Sequence, residues 1–136
     1  MLRQADACLL IGDAGMLADG NGLNVLDLGH AWRRLTGLPF VYAVWLGQAE
    51  NLTPHLIQSL TAAKAWGVTQ TEFIAEEESQ RIGASVRQCR HYLTEVMDYD
   101  LGEEHLRALA TFGAKAWGQK LLPAQPAPVH VVSAAG

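Results

Sequence analysis

The chain is poor in cysteine. Cys8 and Cys89 are the only two in 136 residues, neither has a CxxC partner, and no histidine stands at zinc-finger spacing. A disulfide framework and a thiolate metal site are both excluded, and Cys8, inside an apolar run, reads as a small buried hydrophobe. The histidines, His30, His55, His91, His105 and His130, are dispersed, with no two placed four apart on a helix, so no metal centre is predicted. Charge is also scarce, at 18% of residues with a net of −4. The adjacent basic pair Arg33 and Arg34 falls in a predicted helix and not in a stripe with interleaved aromatics, which excludes a polyanion-binding face and hence nucleic acid. Long hydrophobic runs are missing too. The apolar stretch at 7–11 is far below the ~20 residues of a membrane helix, and Asp6, Gly12 and Asp13 bracket it too tightly for a signal peptide. Gly12 and Gly20 carry neither a dinucleotide nor a phosphate-loop spacing. The expectation left standing is a cytoplasmic protein that handles a small molecule, without membrane or nucleic-acid partners.

What is present is 49% apolar residues, enough for one core at this length. The run Ala7 to Gly12 is short, continuous and sharply ended, which predicts a central parallel strand. A Gly- and Asn-rich stretch follows, with a hairpin expected around Asp19-Gly20-Asn21-Gly22 and Val25-Leu26 as its returning edge. Positions 27–37 predict a helix capped by Asp27 and closed by Gly37, with Leu28, Trp32 and Leu35 on one face. Pro39 forces extension, and Phe40 to Leu46, rich in β-branched and aromatic residues, predicts a second strand. Beyond it the period is helical. Thr53-Pro54 opens one helix running toward Gly67, and Thr69 with Glu72 predicts a capping box for another that stops at Gly83. Val86 to Met97 predicts a third, and Asp100 with Glu103 opens a fourth whose Leu106, Leu109, Gly113, Ala116 and Trp117 lie along one side. From Pro123 the composition predicts a frayed tail. Two strands followed by four helices is lopsided, because two strands alone do not make a stable open sheet.

Three blocks of residues resemble a known family: Ala7 to Asp13, Asp27 through Trp32-Arg33-Arg34-Leu35-Thr36-Gly37-Leu38-Pro39-Phe40 to Trp45, and Tyr92-Leu93 with Tyr99 to Glu104. Over positions 5–121 the chain is similar to the C-terminal half of chorismate dehydratase, which belongs to the futalosine route to menaquinone. The resemblance implies an α/β fold, specifically a partial two-lobed type 2 periplasmic-binding-protein-like fold with a helix-rich C-terminal part. Residues 1–39 would be the remainder of the second lobe, 40–122 the crossing strand and helices of the first lobe, and 123–136 a flexible tail. Family members are roughly twice as long, so the expectation is a chain inactive by itself, whose open edges drive self-association or strand exchange.

The implied reaction is a hydro-lyase step, chorismate losing water to give 3-[(1-carboxyvinyl)oxy]benzoate, with no metal or organic cofactor. Its site must hold a dianion and assist loss of a proton and of hydroxide in a closed cleft. Gly12, Asp13 and Ala14, at the carboxyl end of the first predicted strand, are where open α/β folds present ligand-binding groups. Asp13 capping only a turn is the competing reading, since its charge opposes a dianion. Tyr42 and Trp45 on the second predicted strand are the aromatic candidates for the substrate cleft. Asp27 is accounted for by its cap, and Glu76 to Glu78 point in successive directions and read as a solvated face. Two other readings stay open: a non-catalytic small-molecule binding module, and 1,4-dihydroxy-6-naphthoate synthase, the sister enzyme of the pathway.

Overall fold

The computed structural model describes residues 5–132. Among them lie six α-helices: α1 (Asp13–Met16), α2 (Leu28–Thr36), α3 (Pro54–Thr69), α4 (Thr71–Ile82), α5 (Val86–His91) and α6 (Glu103–Gly118). A 3-10 turn at Ala49–Asn51 and a π-helical turn at Tyr92–Val96 complete the regular structure. The chain divides into two units, one made of residues up to Val25 with Thr71–Val96, the other of Leu26–Gln70 with the residues from Met97 onward.

No β-strand occurs among the described residues, which overturns the α/β and two-lobed periplasmic-binding-protein-like expectation. The runs at 7–12 and 40–46 have no regular structure, and among the described residues neither has a neighbouring strand to pair with its backbone N–H and C=O groups. A strand exists only as one side of a ladder, and β-propensity measures fit to neighbours more than a backbone preference. Exposure confirms the point: Leu9 is 70% and Ile11 75% exposed, and in the other run Trp45 is 87% exposed. The hairpin at 19–22 reduces to a turn. Asn21 N–H donates to Asp19 Oδ1 at 2.9 Å and Leu23 N–H to the Gly20 carbonyl at 3.0 Å, while the expected returning edge at Val25 and Leu26 stays solvent-exposed.

In the first unit the helices α4 and α5 pack together, burying Ala75, Ser79 and Cys89. Small side chains at 75 and 79, one turn apart, let the helices approach closely. Gly83, at φ 74°, ends α4, its N–H returning to the Ser79 carbonyl. Ser85 then starts α5 through a reciprocal cap, in which Gln88 N–H donates to Ser85 Oγ at 3.2 Å and Ser85 N–H to Gln88 Oε1 at 3.0 Å. The helix predicted over 86–97 is α-helical only to His91 before widening into the π turn. Arg90 forks onto Glu72, with Nε–Oε1 and Nη2–Oε2 both 2.6 Å, and so ties α5 to the start of α4.

In the second unit α2 forms as its sequence predicts. Asp27 Oδ1 accepts from His30 N–H at 2.6 Å, and Gly37 closes the helix at φ 74°. Trp32 is the buried residue of its apolar face and stacks against Phe40 and Phe112, with ring centroids 5.9 and 5.6 Å away. The chain leaving α2 is pinned back on it: Trp32 Nε1 donates to the Pro39 carbonyl at 3.0 Å, Leu38 N–H to Thr36 Oγ1 at 3.2 Å, and Thr36 Oγ1 to the Trp32 carbonyl at 2.9 Å. Thr53 caps α3, accepting from Leu56 N–H at 3.2 Å ahead of Pro54. This helix runs through Gly67 to Thr69, whose hydroxyl donates to the Trp66 carbonyl instead of capping α4. Helix α6 starts at Glu103 with Gly102 as cap residue, and Asp100 is drawn off into an ion pair with Lys64. The return bond to the cap comes from His105, whose Nδ1 accepts from Gly102 N–H at 3.2 Å. Ala108 and Ala116 are buried, and Pro126 sits over Gly113 of α6 so closely that a side chain at 113 would collide with it.

Candidate functional site

The residues singled out from sequence divide between the two units: Gly12, Asp13 and Ala14 in the first, Tyr42 and Trp45 in the second. Gly12 adopts φ 61°, a left-handed conformation that favours glycine, and stands as the residue immediately before α1. Its carbonyl accepts from Gly15 N–H at 3.0 Å and Met16 N–H at 3.1 Å. The N–H groups of Asp13 and Ala14 are first-turn donors, which no carbonyl of the helix itself can reach. Asp13 does not cap α1 with its side chain; its Oδ2 lies 3.3 Å from Arg81 Nη2.

Arg81 is the residue that sequence reasoning missed here. It stands 68 positions from Asp13 in the chain, and no local spacing announces so distant a pair. Arg81 Nε also donates to Glu78 Oε2 at 2.7 Å. That hydrogen bond, with the attraction between the two charges behind it, raises the Arg81 pKa and holds the Glu78 carboxyl below its ordinary value. One guanidinium facing two carboxylates is net negative, so the cluster itself repels an anion, and the attractive groups near Gly12 are the backbone N–H donors. A surface hollow along α4, lined by Phe73, Glu76, Glu77, Glu78, Gln80 and Arg81, is likewise rich in carboxylate and suits a cation better than a dicarboxylate. On the same helix the Glu72 carboxyl is pulled below its ordinary value by its hydrogen bond from Arg90.

In the second unit Tyr42 joins the aromatic group through Phe40, ring centroids 4.8 Å apart and nearly perpendicular. Its hydroxyl reaches the amino end of α2 and packs directly on Gly29, where any Cβ would collide with it. Asp27 Oδ1 borders the same spot, 3.4 Å from where that Cβ would stand. The contact between Gly29 and Tyr42 is one that the sequence conceals, because Gly29 lies inside a helix and its spacing to Tyr42 has no pattern. Trp45, by contrast, is almost fully exposed and takes no part in this group. The anionic oxygen held at the start of α2 is the chain's own, Asp27 Oδ1, which already accepts from the first-turn N–H of His30.

Among the described residues no group of three or more His, Cys, Asp or Glu side chains could hold a metal ion, and no helix is long and apolar enough to cross a membrane.

A family model describing menaquinone biosynthesis matches residues 1–117 of the chain. The chain belongs to that family. Among curated proteins it is 35% identical over 106 residues to a chorismate dehydratase of Thermus thermophilus, a match that takes in 76% of this chain and 37% of that protein. The chain therefore spans well under half the length of the relative. No solved structure matches it. The resemblance read from sequence keeps its family link, with the match extending over most of the chain, but is corrected in form: the two-lobed α/β architecture attached to it is not found among the described residues, whose regular structure is helical.

Proposed function

We propose that the protein is a carbon–oxygen lyase of cytoplasmic menaquinone biosynthesis whose substrate is chorismate and whose product is 3-[(1-carboxyvinyl)oxy]benzoate. The observation that carries this reading is the 35% identity over 106 residues to a chorismate dehydratase. The reaction removes the ring hydroxyl and a ring proton as water and gains aromaticity, so the protein need only bind two carboxylates, exclude solvent and steady the departing oxygen. The first-turn N–H groups following Gly12 are donors of the needed kind. No step requires a metal or organic cofactor.

The test is a chimera in which the 106 matched residues replace their counterparts in the Thermus enzyme. After exhaustive chelation it is expected to convert chorismate to a product lighter by one water, identified as the benzoate by NMR. A folded chimera that leaves chorismate untouched would refute the assignment. Turnover that disappears on chelation and returns with a metal would refute the cofactor-free route.

A further inference from the structure

The turn Asp19-Gly20-Asn21-Gly22 holds the one asparagine of this chain that a glycine follows. Of the other two, Asn24 precedes Val25 and Asn51 precedes Leu52. All four turn residues are exposed. Leu23 N–H donates to the Gly20 carbonyl at 3.0 Å, Asn21 keeps a negative φ and Gly22 stands at φ 73°, which defines a type II turn with glycine where that turn requires it. The second bond of the turn runs from Asn21 N–H to Asp19 Oδ1 at 2.9 Å. Neither bond engages the Gly22 N–H or the Asn21 side-chain amide, and among the described residues neither group has another partner. Nothing lies within 4 Å of where a Cβ on Gly22 would stand.

A peptide nitrogen can attack the side-chain amide of the residue before it when it has no hydrogen bond to surrender, when no Cβ crowds the five-membered ring that forms, and when water reaches the site. Asn21 and Gly22 meet all three conditions. We propose that Asn21 is a site of spontaneous covalent modification, deamidating through a cyclic imide to isoaspartate and aspartate. A solvent base takes the Gly22 amide proton, and the nitrogen bonds to Asn21 Cγ. The Cγ–Nδ2 bond then breaks, and the Nδ2 group takes up a proton and leaves as ammonia. Water opens the ring in one of two ways. Addition at Cγ breaks the newly made bond and gives aspartate. Addition at the main-chain carbonyl carbon breaks the original peptide bond and gives isoaspartate, whose main chain runs through Cβ and Cγ. Nothing is oxidised or reduced, and water is the one co-reactant. Asp19 ahead of Gly20 does not compete, because a carboxylate is a far poorer electrophile than an amide. Either product places a new carboxylate two residues from Asp19 and takes the net charge one unit below −4.

The 136-residue chain is incubated in mildly alkaline buffer and digested with trypsin, and peptide 4–33 is followed by mass spectrometry with electron-transfer fragmentation, which tells isoaspartate from aspartate. Residue 21 should gain about one dalton, with isoaspartate the larger product and a rate that rises with pH. The folded chain should react within ~10-fold of the same chain in urea, because an exposed turn opens at little cost. Asn24 and Asn51 should react at least ~10-fold more slowly, and Gly22→Ala should slow residue 21 by a similar factor in buffer and in urea alike, since its Cβ crowds the ring whether or not the turn is formed. A residue 21 that converts in urea and more than ~10-fold more slowly in the folded chain overturns the proposal by showing that the turn shields it. Conversion at Asn24 or Asn51 as fast as at Asn21 overturns it as well, and so does a rate unmoved by Gly22→Ala.

Discussion

Replacing Trp32 by alanine removes the centre of the second unit's aromatic group, and the size of the effect can be worked out from its contacts. The indole is 9% exposed, stacks on two phenylalanine rings and donates one hydrogen bond to the Pro39 carbonyl. Large aromatic-to-alanine changes in cores cost about 3–5 kcal/mol. Within that, the hydrogen bond accounts for about 1 kcal/mol and each ring pair for about 0.5–1.5 kcal/mol. Phe112 is half exposed and Tyr42 more so, which lets the surroundings settle into the gap and places the expected loss near the lower end, about 3 kcal/mol. Trp32→Phe keeps the stacking and loses the donor, for an expected cost of about 1–2 kcal/mol. Urea titration followed by circular dichroism reads both, as a lowered midpoint at unchanged slope. An alanine variant within about 1 kcal/mol of the parent, or a phenylalanine variant as costly as alanine, would refute this account of the unit's core.

Gly29→Ala should destabilise the second unit by forcing a collision with the Tyr42 hydroxyl, and adding Tyr42→Phe should recover most of the loss; a double-mutant cycle in thermal unfolding checks the coupling. Asp27→Ala deprives the His30 N–H of its acceptor and should cost about 1 kcal/mol, measured by the same urea titration. Glu72 titrates below its ordinary 4.5 because Arg90 holds its charged form, so its contribution to joining α4 and α5 is present above that value and fades as the pH falls through the lowered one. Carboxyl-carbon NMR should show the depressed midpoint, and Arg90→Gln should return it to the ordinary range.

Local rules made some of this fold legible. Asp27, Gly37 and the Thr53-Pro54 pair each act through neighbours within a turn, so the bounds of α2 and the start of α3 follow from sequence order alone. The Ser85 and Gln88 cap is equally local, a serine with a glutamine three residues on. The predicted strands failed for a different reason. Phe40 to Leu46 has the composition of a strand, and composition reports suitability for a ladder without reporting whether a neighbour exists to build one. The site was the least legible part. Asp13 meets Arg81 across 68 positions, and Gly29 matters only because of where Tyr42 comes to rest. Neither relation leaves a periodic trace.

The pinning of the chain behind α2 bears on which changes in length the protein can accept. Gly37 must occupy its left-handed position, Leu38 N–H must meet Thr36 Oγ1, and the Pro39 carbonyl must meet the indole of Trp32, all over three consecutive residues. These links act as a ruler that counts residues as well as holding them. One residue inserted between Gly37 and Pro39, or one removed, would leave α2 intact while sending Phe40 and Tyr42 off with their side chains reversed. The hydroxyl would then leave Gly29, and the aromatic group would lose a member without any side chain having been altered. Point substitution along this stretch should thus be tolerated far better than any change in its length.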